Sequence, residues 1–379
     1  MLVDLLPPSQ YILSIEQSLK RGVCLPISAP DVIEPAFRHA KEQLLRPFRF
    51  GQWVRLAFVG LLAGEMGSSG GCNFNYPLNA PKTPNAPYQA SHAFLPGNFP
   101  AQLAEHAALF AGLIAALVVI GIGLLVLFTY ISSVMRFILF DSIVARECHI
   151  RAGWTRRKEP GFRLFVWQLC FMLATLAAFL LVVGIPLARV WALGWFTHAR
   201  DHVLGFVLGG IILFLVLLVL LLSVAVINVM TKDFVVPQMA LENIAVMEGW
   251  RRLWEWIKSE KGGYAGYIGI KIVLAIGAAI ALLIVTVIAM FALVIIMGLV
   301  GVAAFFGGKA AGWTWNPYTI ALAVVLGCIA LAIIIFVAAL ISVPVIVFFP
   351  AYSIYFFASR YAPLASLLWP EPAAPVAPG

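Results

Sequence analysis

Two aspartates, Asp141 and Asp233, are the residues of this sequence whose type and position could do chemistry. Each lies at the end of a long apolar run, where an ionisable side chain is costly to bury and often serves a function. Two carboxylates on related helices could together hold a proton or a cation, as a transporter or channel requires. The other interpretation, which we favour, is local pairing at the membrane boundary, with Arg136 and Lys232 as the nearby cations.

The remaining polar residues offer little chemistry. His198 and His202 have an i,i+4 spacing that could hold a metal, with Asp201 between them, but the sequence places no third ligand. We interpret all three as interfacial loop residues. The sequence has no GxSxG, HExxH, P-loop or dinucleotide fingerprint. It therefore predicts a protein that is not an enzyme and that uses no cofactor or metal.

The composition indicates what kind of protein carries these residues. The chain has 379 residues, of which 62% are hydrophobic and only 11% are charged, whereas soluble domains are about 25% charged. This excludes a soluble domain and a disordered chain, and it favours an all-α integral membrane protein. The net charge of +8 is typical of Lys and Arg gathered at the cytoplasmic ends of spans, so we expect no nucleic-acid partner.

Six apolar runs are candidate membrane spans. Four are unambiguous, namely 107–131, 162–185, 203–229 and 320–343. A fifth, 264–306, is long enough for a tilted span. We expect one helix there that ends near Gly298, although two helices with a tight turn remain an alternative. The sixth, 48–66, is short and would be either a short span or a re-entrant segment.

The distribution of basic residues favours six spans. Seven Lys and Arg lie in 1–55, seven in 136–163 and five in 232–261, whereas the opposite side has only Lys82, Arg189, Arg200 and Lys309. The positive-inside rule then places both termini in the cytoplasm, and we expect the inner membrane of a prokaryote.

The chain is expected to have three parts. Residues 1–47 form a cytoplasmic segment with an amphipathic helix, 48–361 form the membrane domain, and 362–379 form a tail rich in Pro and Ala. Residues 67–104 form an outer loop within the membrane domain.

The cytoplasmic segments resemble one another, which predicts a pseudo-threefold internal repeat. After one span come Val-Met, an Asp, Gly-Trp, a basic stretch and a Gly, and the same order follows a later span. We therefore expect 134–185 to superpose on 229–290, with Trp154 and Trp250 equivalent.

Amphipathic helices are predicted in these cytoplasmic segments. In 241–261 the apolar residues recur at helical spacing, and near the N-terminus Ile33, Phe37, Ala40 and Leu44 form one face. Such helices lie in the membrane interface and can contact anionic lipid. The predicted interfacial anchors are Trp154, Trp250, Trp254, Arg251 and Arg252.

Two stretches carry a family resemblance. They are Glu34-Pro-Ala-Phe-Arg with Arg46-Pro-Phe-Arg-Phe-Gly-Gln-Trp, and Lys232-Asp-Phe-Val-Val-Pro-Gln-Met-Ala with Glu248-Gly-Trp-Arg. They resemble a prokaryotic multi-pass membrane family of unknown function. That family is similar to the membrane domain fused to some glycerophosphodiester phosphodiesterases. The resemblance implies a helical bundle without an assigned activity, because the hydrolase domain is absent from this chain.

Three functions remain to be compared. The first is a non-enzymatic scaffold, accessory subunit or lipid-interacting bundle, with the bilayer as its partner and anionic lipid at the cytoplasmic face. The second is a secondary transporter or channel that uses Asp141 and Asp233. The third, a lipid-modifying enzyme, would need clustered His, Asp or Glu at one interface, and the sequence shows no such cluster. We favour the first, and the sequence leaves protein partners and homo-oligomerisation open.

Overall fold

The computed structural model describes residues 27–65, 107–195, 202–310, 312 and 316–369. Every regular element within these ranges is helical. The helices are α1 (Ile33–Leu45), α2 (Phe50–Leu62), α3 (Ala107–Val144), α4 (Ile150–Ala192), α5 (Val203–Met230), a π-helical turn (Thr231–Val235), α6 (Val236–Glu242), α7 (Val246–Ser259), α8 (Lys261–Ala310), α9 (Pro317–Ala358) and α10 (Ala362–Leu368).

Five helices are long and apolar enough to cross a membrane, and they contain the five long apolar runs of the sequence. This agreement confirms that the described part of the chain is all-helical and has several helices that could span a membrane. One expectation was wrong: α8 continues unbroken through Gly298 to Ala310, because Gly weakens a helix without ending it. At about 1.5 Å per residue the long helices extend about 40–75 Å, which exceeds the hydrocarbon thickness of about 30 Å.

The long helices pack at one end and separate at the other. In the most apolar 18-residue stretch of each long helix, no residue is buried. The buried side chains of these helices lie mainly in 133–143, 230–240 and 339–359, close to the connections 145–149, 243–245 and 359–361. We call this end of the bundle the packed end. The opposite halves present Leu, Ile, Val and Phe outward, as side chains in lipid do.

Both ends of the described chain lie at the packed end. The Tyr352 hydroxyl donates a hydrogen bond to the Ala29 carbonyl oxygen over 3.1 Å. Arg360 donates to the Ile27 carbonyl oxygen over 3.2 Å. The N-terminal segment is therefore attached to the C-terminal end of α9.

The predicted sixth span is represented by α2 alone. This helix has 13 residues and is about 20 Å long, which is shorter than the hydrocarbon core. It begins at the packed end, where Arg49 pairs with Glu147 at 3.7 Å. It ends at Leu62, and the carbonyl oxygen of the next residue, Ala63, accepts a hydrogen bond from Ser132 over 3.2 Å. The predicted outer loop, 67–104, and most of the C-terminal tail lie outside the described residues.

The surface helices differ in detail from the sequence expectation. Residues 241–261 do not form one helix, because Asn243 adopts a left-handed conformation with φ 54° and ends α6. In α1 the predicted face is rotated: Ala40 and Leu44 are buried, but Phe37 is 62% exposed. His39 and Gln43 are buried in its place because the Ile143 and Ser142 carbonyl oxygens accept their hydrogen bonds.

Candidate functional site

Five ionisable side chains meet where the packed end joins the separated halves of the bundle. We call them the charge cluster: Glu65, Arg136, Lys232, Asp233 and Lys271. They come from the segment after α2, from α3, from the π-helical turn and from α8. The Glu65 and Asp233 side chains are only 5% and 2% exposed. Charges buried this deeply persist only when partners compensate them.

A proline explains the backbone at the centre of the cluster. Inside a helix, Pro237 has no N–H for the carbonyl of residue 233, and its ring would clash with that carbonyl. The chain relieves this conflict by the π-helical turn Thr231–Val235, which ends two residues before Pro237. Such insertions are frequent at functional sites. This turn carries two members of the charge cluster, Lys232 and Asp233.

The two residues of the turn take different partners. Lys232 pairs with Glu65. Asp233 pairs with Lys271 and also accepts a hydrogen bond from the Tyr267 hydroxyl over 2.9 Å. Lys232 is therefore not the cation that pairs with Asp233, as we expected from the sequence, because Lys271 of a different helix takes that role.

Arg136 makes fewer bonds than its five donors allow. Its Nε donates to the Ala63 carbonyl oxygen over 3.3 Å. The carboxylates that act on it electrostatically are Glu65 and Asp233. Since the charge cluster contains three cations and two carboxylates, it has one net positive charge when all five groups are ionised.

An apolar cavity of about 1160 Å³ opens beside Arg136, and we call it the large chamber. It lies between α3, α4 and α5 and reaches the end of α2. Its walls are mainly Leu and Phe, and its polar lining side chains are Thr129, Ser132, Arg136, Gln168, Thr175 and Asn228. Along α5 it extends from Phe214 to Asn228, a length of about 21 Å.

A second cavity of about 380 Å³, the small chamber, lies between α5, α8 and α9. Its polar lining residues are Glu65, Lys232, Asp233 and Lys271. A cavity of about 30 Å³ touches Arg136 as well as Glu65, Lys232 and Asp233. Its volume is close to that of one water molecule. The charge cluster therefore lies between the two chambers and contributes to the lining of both.

Asp141 belongs to a different place in the fold. Its two carboxylate oxygens accept hydrogen bonds from Arg157 over 2.6 and 2.7 Å. Arg157 also donates to the Ala240 carbonyl oxygen over 2.6 Å, so it joins α3, α4 and α6. The expected cation, Arg136, is not its partner, and Asp141 lines neither chamber. Within the described residues, the two aspartates do not share a site.

The predicted interfacial anchors divide into two groups. Trp154 and Trp250 are half-buried, the first packed edge-on against Tyr130 at 6.1 Å and the second stacked on Trp167 at 6.5 Å. Trp254 is 55% exposed.

The two arginine anchors are partly tied to α7 and α6 by ion pairs. Arg251 pairs with Glu248 at 2.8 Å. Arg252 pairs with Glu242 and Glu248, and its hydrogen bond to Glu248 lowers the pKa of that carboxyl group.

The predicted histidine pair is only partly described. His198 and Asp201 lie outside the described residues, and His202 stacks on Trp195 with ring centroids 4.8 Å apart. Among the described residues, no group of three His, Cys, Asp or Glu could hold a metal.

Sequence reasoning missed three members of the site: Glu65, Lys271 and Tyr267. Lys271 was the clearest signal, because it is the one charge within the apolar run 264–306. Its side chain is 15% exposed and bonded to Asp233. Lys271 lies inside one apolar run and Asp233 lies at the end of another, and neither has an opposite charge in its own run. Pairing these two residues would have predicted the contact.

The comparisons with known proteins identify a family but no activity. A family model described as a family of unknown function, DUF7544, matches residues 27–367. No curated protein and no solved structure matches the chain. The resemblance to domains fused to phosphodiesterases receives no support from these comparisons. Since the family model covers most of the sequence, the chain belongs to the family of unknown function DUF7544.

Proposed function

We propose that this protein is a non-enzymatic, lipid-interacting integral membrane bundle, and that the large chamber holds the acyl chain of a lipid. The observation that carries the proposal is the chamber itself, an apolar cavity of about 1160 Å³ between three long helices. Its length of about 21 Å along α5 exceeds the depth of one leaflet of the hydrocarbon core, about 15 Å. An acyl chain fits a space of that depth and polarity.

The access route also supports a lipid ligand. The separated halves of α3, α4 and α5 have no buried residue in their most apolar stretches. A chain in the bilayer can therefore enter the large chamber from the side, between the helices. A water-soluble substrate would instead need a polar path, and the walls of the chamber are mainly Leu and Phe.

A secondary transporter or channel that uses Asp141 and Asp233 is the second candidate. Its support would be a cavity shared by both carboxylates. Asp141 is bound to Arg157 and lines neither chamber, whereas Asp233 lines the small chamber. These contacts favour the lipid-binding proposal over the transport proposal.

For the topology, we propose six spans with both termini in the cytoplasm and the inner membrane of a prokaryote as the location. The support is the excess of Lys and Arg on one side and the meeting of both chain ends at the packed end. Reporter fusions near Tyr88 and at Gly379 test it. A cytoplasmic signal at Tyr88 would contradict this arrangement.

We also propose the pseudo-threefold repeat. Two features support it. The first is a shared backbone conformation: Arg146, between α3 and α4, and Asn243, between α6 and α7, are both left-handed, with φ 57° and 54°. The glycines of the two Gly-Trp pairs both face the preceding helical segment, Gly153 against Ile138 and Gly249 against Val235. Substitution of either glycine by Val should therefore destabilise the bundle to a similar extent. A large effect at only one of them would contradict the equivalence.

The lipid proposal is tested by measuring what the purified protein retains. The double variant Leu217→Trp/Val224→Trp places two large rings on the face of α5 that lines the large chamber. The matched control, Ile212→Trp/Val219→Trp, changes two exposed positions of the same helix with the same spacing of seven residues.

Wild type and control should retain lipid through detergent purification, as measured by native mass spectrometry, and the chamber variant should lose it. Equal lipid retention by both double variants, or no retention by wild type, would refute the proposal.

A further inference from the structure

We infer that Arg136, at the end of the large chamber, binds the anionic phosphate of a lipid headgroup, so that the bundle selects anionic over zwitterionic lipids. The inference rests on the proposed function and adds the class of headgroup to it. Its basis is the position, charge and unused donors of one half-buried side chain.

The net charge of the charge cluster is the first observation that supports the inference. Lys232 is compensated by Glu65, and Lys271 is compensated by Asp233. Both carboxylates form their ion pairs with lysines, and Arg136 is a third cation that feels both carboxylates but forms no ion pair with either of them. A monoanion beside Arg136 would bring the charge cluster to neutrality, which matters because an excess charge away from water is expensive.

The unused hydrogen-bond donors of Arg136 and Gln168 are the second observation that supports the inference. Arg136 uses Nε on the Ala63 carbonyl oxygen, and its terminal nitrogens donate to no residue in the described part of the chain. Gln168 accepts a hydrogen bond from Ser133 at Oε1 over 2.6 Å, so its amide nitrogen is the group left to donate. Arg136 and Gln168 both line the large chamber. A guanidinium group and an amide together match a phosphate, which accepts several hydrogen bonds.

The depth of Arg136 in the membrane is the third observation that supports the inference. Tyr130 packs against Trp154, and aromatic side chains of this kind mark the headgroup level of a membrane. Arg136 lies six residues further along α3 toward the packed end, a distance of about 9 Å. A lipid with its acyl chain in the large chamber would therefore have its headgroup between the level of Tyr130 and that of Arg136, with the phosphate on the side of Arg136.

The test compares two lipids with identical acyl chains, phosphatidylglycerol and phosphatidylcholine, added to the delipidated full-length protein in detergent. Native mass spectrometry measures the bound fraction of each. Wild type should prefer phosphatidylglycerol about tenfold, because both lipids present a phosphate to Arg136 but only phosphatidylcholine adds a choline cation beside the net positive charge of the cluster. Arg136→Gln should abolish this preference, and Arg136→Lys should retain part of it, because Lys keeps the charge but loses the planar fork.

The matched control is Arg156→Gln, which removes the same charge from an exposed position of α4 and should keep the full preference. If Arg136→Gln fails to fold by size-exclusion chromatography, Gln168→Leu replaces it, since it removes the second donor without disturbing an ion pair. Loss of headgroup preference in Gln168→Leu supports the inference.

Three results would overturn the inference. Equal binding of the two lipids by wild type removes the headgroup site but leaves the chamber proposal intact, because lipid is still bound. An equal loss of preference in Arg156→Gln means that general surface charge is responsible. Inorganic phosphate that stabilises the protein as much as phosphatidylglycerol does would indicate a site for a free anion. Failure to bind either lipid would instead contradict the proposed function itself.

Discussion

Replacement of Asp141 by Asn should destabilise the packed end strongly. The Arg157 side chain is 9% exposed and that of Asp141 is 27% exposed. The substitution removes the negative charge but leaves Arg157 in place, with the Ala240 carbonyl oxygen as its remaining neutral partner. The destabilisation therefore comes mainly from an uncompensated buried cation rather than from a lost attraction.

The magnitude follows from the burial of the two partners. Removal of one member of a buried ion pair costs about 3–5 kcal/mol. We expect about 3 kcal/mol for Asp141→Asn, the lower end of that range, because partial exposure lets water reach the site. The double variant Asp141→Asn/Arg157→Met should recover at least half of this loss, because it removes the stranded charge as well.

The measurement is the free energy of unfolding in mixed micelles as the fraction of sodium dodecyl sulfate increases, followed by circular dichroism. Glu159→Gln serves as the control. Glu159 and Arg163 form an i,i+4 pair on the same helix, but their side chains are 68% and 39% exposed, so the change should cost less than about 0.5 kcal/mol. Two results would refute the reasoning. One is a loss of unfolding free energy for Asp141→Asn as small as that of the control. The other is a double variant that is less stable than both Asp141→Asn and Arg157→Met.

Two further predictions concern packing and pH. Gly161→Ala should cost about 1–3 kcal/mol, since an added Cβ would lie 2.6 Å from a methyl group of Val134 and 3.1 Å from its Cα, whereas Gly184→Ala, with open space around it, should cost nothing in the same unfolding assay. Burial, assisted by the positive charge of Arg146, lowers the pKa of His39 below 6.5, so its contribution to stability is complete above about pH 6.5 and is lost as the pH falls below that value. Unfolding from pH 7.5 to 5 should show this loss in wild type and a smaller one in His39→Gln; equal slopes would contradict it.

The sequence predicted the long helices well, because an uninterrupted apolar run of about 20 residues has few alternatives to a membrane helix. It also singled out Asp141 and Asp233, each of which forms an ion pair in the structure. It could not predict their partners. Arg157 and Lys271 lie 16 and 38 residues away along the chain, and they reach the aspartates only after the helices pack in one particular rotation.

The surface helices show a second limit of pattern reasoning. In α1, the apolar spacing predicts that Phe37 is buried and that polar residues face water, yet Phe37 is exposed and His39 is buried. His39 tolerates burial because both ring nitrogens have partners, Ile143 and Tyr355. Such partners satisfy a polar group that the sequence pattern assigns to solvent. They belong to residues more than 100 positions away, and no local pattern contains them.

The distribution of packing in the bundle determines where selectivity for a lipid can arise. The separated halves of the long helices have no buried residue in their most apolar stretches, so lipid chains solvate them and any acyl chain meets much the same surface. Contacts of that kind discriminate poorly, because dispersion and apolar burial are non-directional. Discrimination requires directional groups, and near the large chamber these are concentrated at Arg136, Ser132 and Gln168. In the lipid complex that we propose, the chamber would therefore supply the affinity for a chain, and the charge cluster beside it would supply the choice of headgroup.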